Sequence, residues 1–127
     1  MIRGVRGATT VKKNTEEQIV SSTKRLLEKM IRENDIFPEQ VSHIWFTVTD
    51  DLDAAFPAKA TRLIEGWQFV PVMCAREIPV PESLPLCIRV MLTAETKVMQ
   101  ENVNHVYLND AVSLRPDLEL TKRKDSR

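Results

Sequence analysis

The spacing of hydrophobic residues predicts one long helix near the start of the chain. Apolar side chains recur at helical intervals from Ile19 to Ile31, and charged residues occupy the opposite side. Thr15, with Gln18 three residues later, forms the capping-box pattern that marks a helix N-terminus. We therefore expect an amphipathic helix that begins after Thr15 and ends near Asn34, ahead of a proline.

Shorter apolar segments have the composition of β-strands. Four strands are predicted, at Met1–Val11, His43–Thr49, Trp67–Cys74 and Cys87–Thr93. A closing hairpin is predicted around Asn109 and Asp110, with its two strands at His105–Leu108 and Ala111–Leu114. These elements together indicate one compact α+β unit.

A second, shorter helix and a polar tail complete the predicted organisation. Pro57 suits the first turn of a helix that runs to Ile64, and Gly66 suits its C-terminal cap. Residues 118–127 are mostly charged and lack aromatic side chains, so we expect disorder there. The prediction is a single domain over residues 1–117 followed by this tail.

Arg89 places a charge within one of the apolar strands. Alternate residues of a strand share a face, so Arg89 aligns with Cys87 and Met91 while the residues between them point the other way. Both faces are otherwise apolar, so we expect the guanidinium to lie in a packed core. Burying an unpaired charge costs several kcal/mol. An anionic group should therefore meet Arg89, either a carboxylate of the protein or a ligand that carries one.

Glu77 and Tyr107 are the natural companions of Arg89. Glu77 follows a predicted strand, and Tyr107 is the only tyrosine of the chain. Each also has a structural interpretation, Glu77 as a plain ion-pair partner and Tyr107 as a packed aromatic with a hydrogen-bonded hydroxyl. Lys59 and Arg62 share one face of the short helix, with Phe56 one turn earlier. Further arginines lie in the first strand and after the last one, at Arg6 and Arg115.

Composition excludes several classes of function. The 127 residues include eighteen basic and eighteen acidic side chains, a balance that gives no electrostatic footprint for nucleic acid or an anionic membrane. Cys74 and Cys87 lie in apolar segments without a CxxC or Cys/His cluster, which is typical of reduced thiols in the cytoplasm. The sequence has no signal-peptide pattern and no apolar span of membrane length. We expect a cytoplasmic protein without nucleic-acid or membrane partners.

The motifs associated with metal, nucleotide or nucleophilic chemistry are missing from the sequence. Neither HExxH, a nucleophile elbow nor a Walker sequence occurs, and the two histidines, His43 and His105, favour structural roles. An arginine-rich pocket remains, and such a pocket suits carboxylate binding and the stabilisation of developing negative charge.

Seven motifs in order give the chain a specific resemblance. They are RGxRGATT (Arg3 to Thr10), FPAKAxR (Phe56 to Arg62), GWxxVPVxC (Gly66 to Cys74), the downstream Glu77, CIRVM (Cys87 to Met91), HVYL (His105 to Leu108) and LRPDL (Leu114 to Leu118). With them, the sequence from Met1 to about Leu120 resembles the small trimeric, Bacillus-type chorismate mutases (the AroH class). Met73 departs from this pattern, which has threonine at that position, and the Pro79–Pro85 loop matches less closely.

The resemblance implies a fold, a reaction and an assembly. It implies a mixed β-sheet with one long and one short helix per chain, and a homotrimer that forms a pseudo α/β barrel with active sites at subunit interfaces. The implied reaction is the pericyclic rearrangement of chorismate to prephenate, a step of phenylalanine and tyrosine biosynthesis that needs no cofactor or metal. Two other interpretations stay open at this point, a trimeric enamine/imine deaminase-like enzyme and a non-catalytic carboxylate-binding regulatory module.

The resemblance also implies roles for individual residues. Arg89 is expected at the ether oxygen and a carboxylate of the substrate, Glu77 at the ring hydroxyl, and Arg6 with Tyr107 at a carboxylate. The walls and mouth of the site are expected from Phe56, Lys59, Arg62, Val72, Met73, Cys74, Leu114 and Arg115.

Overall fold

A computed structural model describes residues 1–114 of the chain. This part contains five strands, β1 (Ile2–Thr10), β2 (Val41–Val48), β3 (Val72–Arg76), β4 (Cys87–Glu95) and β5 (Val106–Tyr107). One α-helix, α1 (Glu16–Asn34), follows β1, and four short 3₁₀-helices lie at Pro38–Gln40, Pro57–Leu63, Gln100–Asn102 and Asn109–Leu114. Arg115 and the predicted tail lie outside the described residues.

The strands form one mixed sheet in the order β3-β2-β4-β1-β5. The central strand β4 pairs antiparallel with both β1 and β2. The outer strand β3 pairs in parallel with β2, and the outer strand β5 pairs in parallel with β1. The predicted α+β class and mixed sheet are confirmed.

Helix α1 has the boundaries that the sequence predicts. The Thr15 hydroxyl accepts a hydrogen bond of 3.2 Å from the backbone N–H of Gln18, and this contact caps the first turn. Asp35 then adopts a left-handed backbone conformation with φ of 51° and ends the helix. The short helix is also confirmed in place, although it is a 3₁₀-helix over Pro57–Leu63.

Helix α1 covers one face of the sheet, which we call the covered face. Its apolar stripe packs on side chains that alternate along the three central strands, and the core has almost no solvent exposure: Val5, Leu26, Leu27, Met30, Ile44, Phe46, Val90 and Leu92. Gly7 belongs to this face, because a Cβ atom there would collide with the sulfur of Met30 and approach Leu26. The lack of a side chain at Gly7 is what allows the helix to lie close to β1.

Within residues 1–114, α1 does not extend over the opposite side of the sheet, which we call the open face. Strand register places Tyr107, Ala8, Arg89, Thr47 and Ala75 side by side in one row across all five strands. The adjacent row runs from β1 to β3 through Arg6, Met91, Trp45 and Met73. The three apolar members of that second row are each more than 40% exposed.

The predicted strand Trp67–Cys74 is wrong in its first half. The structure forms a strand only at Val72–Arg76, and the preceding segment is a compact turn in which the N–H of Val70 donates to the carbonyl of Trp67. Trp67 and Val70 are both buried in the core. Buried apolar residues in a turn produce the same hydrophobic signal as a strand, which explains the error.

The predicted closing hairpin is also wrong. Strand β5 pairs in parallel with β1 rather than with the segment that follows it, and Asn109–Leu114 is a 3₁₀-helix. Asn109 takes a left-handed conformation, and its side-chain amide donates to the Thr9 hydroxyl and the Thr10 carbonyl. These contacts fold the chain back over β1 instead of allowing it to return beside β5.

Among residues 1–114, no helix is both long enough and apolar enough to cross a membrane.

Candidate active site

The expectation that Arg89 lies in a packed core is wrong. Its side chain is 44% exposed, and it stands on the open face, while its neighbours Ile88 and Val90 on the covered face are buried. The sequence alternation gives the two faces of β4 correctly but does not tell which of them a helix covers. A solvent-accessible arginine on a sheet surface is available to a ligand without the full desolvation cost of a buried charge.

A carboxylate of the protein meets Arg89, as the charge argument predicts. Oε2 of Glu77 lies 3.5 Å from Nε of Arg89. The same oxygen accepts a hydrogen bond of 2.8 Å from the hydroxyl of Thr47. Glu77 follows β3 directly, and its N–H donates to the carbonyl of Val48, which brings its carboxylate back over the sheet.

A cavity of about 180 Å³ lies on the open face around Arg89. Three further residues predicted for the site, Arg6, Tyr107 and Leu114, line it together with Arg89. Trp45, Thr47 and Ala8 contribute to the walls as well. Ala8 stands between Tyr107 and Arg89 in the strand register, so its small side chain leaves room between the phenol and the guanidinium.

Arg6 and Tyr107 are held near each other by the parallel pairing of β1 with β5. The backbone N–H of Arg6 donates to Nδ1 of His105 at 3.0 Å, and this contact extends the ladder in which Ala8 faces Tyr107. The Leu108 N–H donates to the carbonyl of Ala8 at 2.9 Å. His105 therefore has the structural role expected for it. It connects β1, which carries Arg6, with the segment of β5, which carries Tyr107.

The remaining predicted residues lie elsewhere on the chain. Phe56, Lys59 and Cys74 line a second cavity of about 520 Å³, beside the short 3₁₀-helix. Arg62 lies in a groove between that helix and α1, which Lys59 also borders. Lys59 forms an ion pair of 3.0 Å with Glu16, at the first turn of α1. The structure therefore does not bring this group together with Arg89 within one chain.

The three predicted residues of β3 divide between the two faces. Met73 pairs beside Trp45 on the open face and is 59% exposed, while Val72 and Cys74 point to the side that α1 covers. Burial raises the pKa of the Cys74 thiol, and a hydrogen bond with the backbone of Ala58 opposes the shift. Arg115, predicted at the mouth, lies outside the described residues.

Thr47 and Trp45 are cavity residues that the sequence interpretation missed. Both belong to the segment predicted as the second strand, where Ile44 and Phe46 alternate with them. The alternation places Trp45 and Thr47 on the face opposite the core. That signal, combined with the pairing of Thr47 beside Arg89, identifies them, but the pairing is not readable from one sequence.

Within the described part of the chain, no group of three or more histidine, cysteine, aspartate or glutamate residues is placed to hold a metal ion. Cys74 and Cys87 are both free thiols. Burial raises the pKa of the Cys87 thiol, and the positive charge of Arg89 acts in the opposite direction.

Comparisons with known proteins identify the family of the chain. The chain is 54% identical over 125 residues to chorismate mutase AroH of Bacillus subtilis, with 98% of each protein covered. It is 52% identical over 120 residues to chorismate mutase AroH of Thermus thermophilus, across 94% of this chain and 98% of that protein. The solved structure of a chorismate mutase from Clostridium thermocellum superposes with a TM-score of 0.84 at 47% identity, covering 87% of this chain and 97% of that one. The family model described as chorismate mutase type I matches residues 2–118, and the chain belongs to that family.

Proposed function

We propose that this chorismate mutase binds chorismate in the cavity around Arg89 and rearranges it there to prephenate. The protein is an isomerase of aromatic amino-acid biosynthesis by its family, which decides against the deaminase-like and non-catalytic interpretations. The observation that carries the proposed site is the meeting of Arg6, Arg89 and Tyr107 around one cavity, with Glu77 held at 3.5 Å from Arg89.

The charges around the cavity suit the substrate. Chorismate carries two carboxylates, and a guanidinium binds a carboxylate through forked hydrogen bonds. Arg6 and the Tyr107 hydroxyl stand on neighbouring strands and would hold one carboxylate between them. Arg89 would meet the other carboxylate together with the ether oxygen of the bond that breaks.

The reaction needs positioning and fixed charge more than acid–base chemistry. In the transition state the ether C–O bond lengthens, so negative charge grows on the oxygen and positive charge grows on the ring. Arg89 stabilises the first charge, and Glu77 the second through the ring hydroxyl. Holding the compact conformer in which the reacting carbons meet lowers the barrier further. No proton passes to the enzyme, so kcat should stay flat across neutral pH.

The size of the cavity supports completion of the site by a second copy of the chain. Ligand sites usually enclose roughly 300–1,000 Å³, whereas the cavity around Arg89 has about 180 Å³. The open face also carries the exposed apolar side chains of Trp45, Met73 and Met91, which a neighbouring chain would cover.

The separation of the predicted residues supports the same arrangement. Phe56, Lys59 and Arg62 lie apart from Arg89 in one chain, so they would reach the substrate from the neighbour. We infer a homotrimer with three clefts between subunits, each pairing the Arg89 cavity of one chain with the Phe56–Arg62 helix of the next. We also infer a cytoplasmic enzyme, which the two free thiols support.

Two experiments test the proposal. Addition of the purified protein to chorismate should remove the chorismate absorbance, and unchanged absorbance would refute the activity. For the shared site, Arg89→Ala and Arg62→Glu variants should be purified separately, unfolded and refolded together. Mixed trimers contain clefts with both residues intact, so activity should rise well above the sum of the parents. Mixed trimers as inactive as their parents would refute the division between chains.

A further inference from the structure

The carboxylate of Glu77 is held mainly by a neutral hydroxyl rather than by its charged partner. The Thr47 hydroxyl donates to Oε2 at 2.8 Å, whereas Nε of Arg89 stands 3.5 Å from the same oxygen. Charge-assisted hydrogen bonds from guanidinium to carboxylate are typically about 2.7–2.9 Å long. The Thr47 contact has the length of a strong hydrogen bond, and the Arg89 contact is longer than one.

The two oxygens of Glu77 are held unequally. Within residues 1–114, Oε2 accepts from the Thr47 hydroxyl, while Oε1 accepts only a weak contact of 3.4 Å from the adjacent backbone N–H of Ile78. Thr47 therefore fixes the orientation of the carboxylate plane and leaves Oε1 as the more available acceptor. A substrate hydroxyl that donates to Glu77 would use that oxygen.

The side chain of Thr47 is conformationally restricted. It lies in β2, where the strand register sets it directly beside Arg89 and Ala75. A β-branched side chain in a strand has few accessible χ1 rotamers, so its hydroxyl keeps one direction at low entropic cost. The residue also lines the cavity around Arg89, as Trp45 does.

We propose that Thr47 is a positioning residue of the rearrangement, which anchors Glu77 independently of Arg89. This inference rests on the proposed function, in which Glu77 meets the electropositive side of the transition state and Arg89 the electronegative side. An anchor of its own keeps Glu77 in place when Arg89 turns its guanidinium to the substrate. Without the Thr47 hydrogen bond, the Glu77 carboxylate would move toward the Arg89 guanidinium and partly neutralise its charge.

The test compares Thr47→Val with Thr47→Ser. Valine has nearly the shape of threonine and suits a strand, but it removes the hydroxyl, whereas serine keeps the hydroxyl. Thr47→Val should lower kcat about tenfold with KM changed less than about twofold, because the anchor orients Glu77 and does not bind the substrate carboxylates. Thr47→Ser should keep kcat within about threefold of the parent. Equal losses in the two variants would overturn the proposal, since packing would then be the cause.

A double-mutant cycle identifies the group through which Thr47 acts. In a Glu77→Ala background, Thr47→Val should lower kcat by less than about twofold, because the carboxylate it positions is gone. A full tenfold loss in that background would overturn the proposal. If Glu77→Ala alone leaves kcat unchanged, the proposed function of Glu77 fails. If Glu77→Ala is damaging while Thr47→Val is not, the Thr47 inference fails and the proposed function stands.

A matched control comes from the same face of the sheet. Thr93 lies on β4, partly buried, with its hydroxyl 3.3 Å from Nε2 of His43 and outside the cavity. Thr93→Val removes the same group from the same kind of strand position and should leave kcat unchanged. A loss equal to that of Thr47→Val would overturn the specific role of Thr47. Circular dichroism and light scattering on each variant confirm that fold and assembly are retained.

Discussion

The two faces of this sheet are built from the same strands and differ in almost every other respect. On the covered face, Phe46 and Leu92 are fully buried beneath α1. On the open face, one residue away along the chain, Trp45 and Met91 are more than 40% exposed and stand beside charged groups. The covered face is complete within one chain. The open face keeps apolar surface and cations together, a combination typical of a site that a ligand or another chain completes.

The contrast separates residues that stabilise the fold from residues that we propose perform the reaction. A side chain on the covered face contributes through burial, so its removal leaves a cavity. A cation on the open face is partly desolvated in the protein without substrate, which costs free energy. Its removal does not weaken the core. Substitutions on the two faces should therefore change different measurements.

Arg89→Ala should have the largest effect on activity. We expect kcat/KM to fall on the order of 10²-fold or more, because in the proposed site this charge acts where negative charge develops in the transition state. Arg89→Lys should recover only part of the loss, since an ammonium cannot make forked contacts. The assay is the initial rate of chorismate loss. Near-normal turnover by Arg89→Ala would contradict the assignment, and a large fall in unfolding free energy would contradict the contrast between the faces.

Phe46→Ala and Trp45→Ala compare the two faces at adjacent positions. Phe46 is 0% exposed in the core, so its truncation should lower the unfolding free energy by about 3–5 kcal/mol. Trp45 is 42% exposed in the single chain, so its truncation should act mainly on assembly and activity. Denaturant unfolding at fixed protein concentration and light scattering separate these effects. If both variants lost the same unfolding free energy and neither changed in assembly, the open face would be an ordinary packed surface.

Gly7→Ala and Gly4→Ala make the same comparison with a single methyl group. A methyl at Gly7 would collide with Met30 beneath α1, and overpacking of this kind costs roughly 1–3 kcal/mol. A methyl at Gly4 would lie 3.3 Å from the sulfur of Met91, a partly exposed side chain that can move aside. Its effect should stay within about 0.5 kcal/mol of zero. Thermal unfolding of both variants is the measurement, and a greater loss for Gly4→Ala would reverse the interpretation of the faces.

The sequence predicts the covered face better than the open one, for a physical reason. Helix α1 is set by local signals, so Thr15 and Asn34 mark its ends correctly. Strand β5 has two residues and depends on pairing with β1, about a hundred residues away in the chain, so the sequence suggested a hairpin instead. The exposure of Arg89 likewise depends on where α1 packs, which alternation along β4 does not encode.

The lining of the cavity was predicted in part: Arg6, Arg89, Tyr107 and Leu114 were named from the sequence, whereas Trp45 and Thr47 were missed. Arg6, Arg89 and Tyr107 follow from motifs whose residues are distinctive in any sequence, and the structure gathers them around one cavity. The sequence does not distinguish Thr47 from the other threonines of the chain. The strand register sets it beside Arg89, and its hydroxyl lies 2.8 Å from the Glu77 carboxylate. Contacts between distant strands carry that information, and a single sequence contains no local trace of them.

Cys87 gives the smallest expected effect and tests the boundary between the faces. It lies on the same face of β4 as Arg89 but is only 1% exposed, and burial raises the pKa of its thiol. An unfolded thiol then ionises at lower pH than the folded one, so the thiol does not affect stability below its unfolded pKa. As the pH rises past that value, the unfolded state is favoured and stability falls, by at most about 1.4 kcal/mol for each unit of pKa difference. Unfolding free energies measured at about pH 8 and about pH 10 should therefore show a smaller alkaline loss in Cys87→Ala than in the parent. An identical alkaline loss in both would mean that Cys87 is as hydrated as the open face around Arg89.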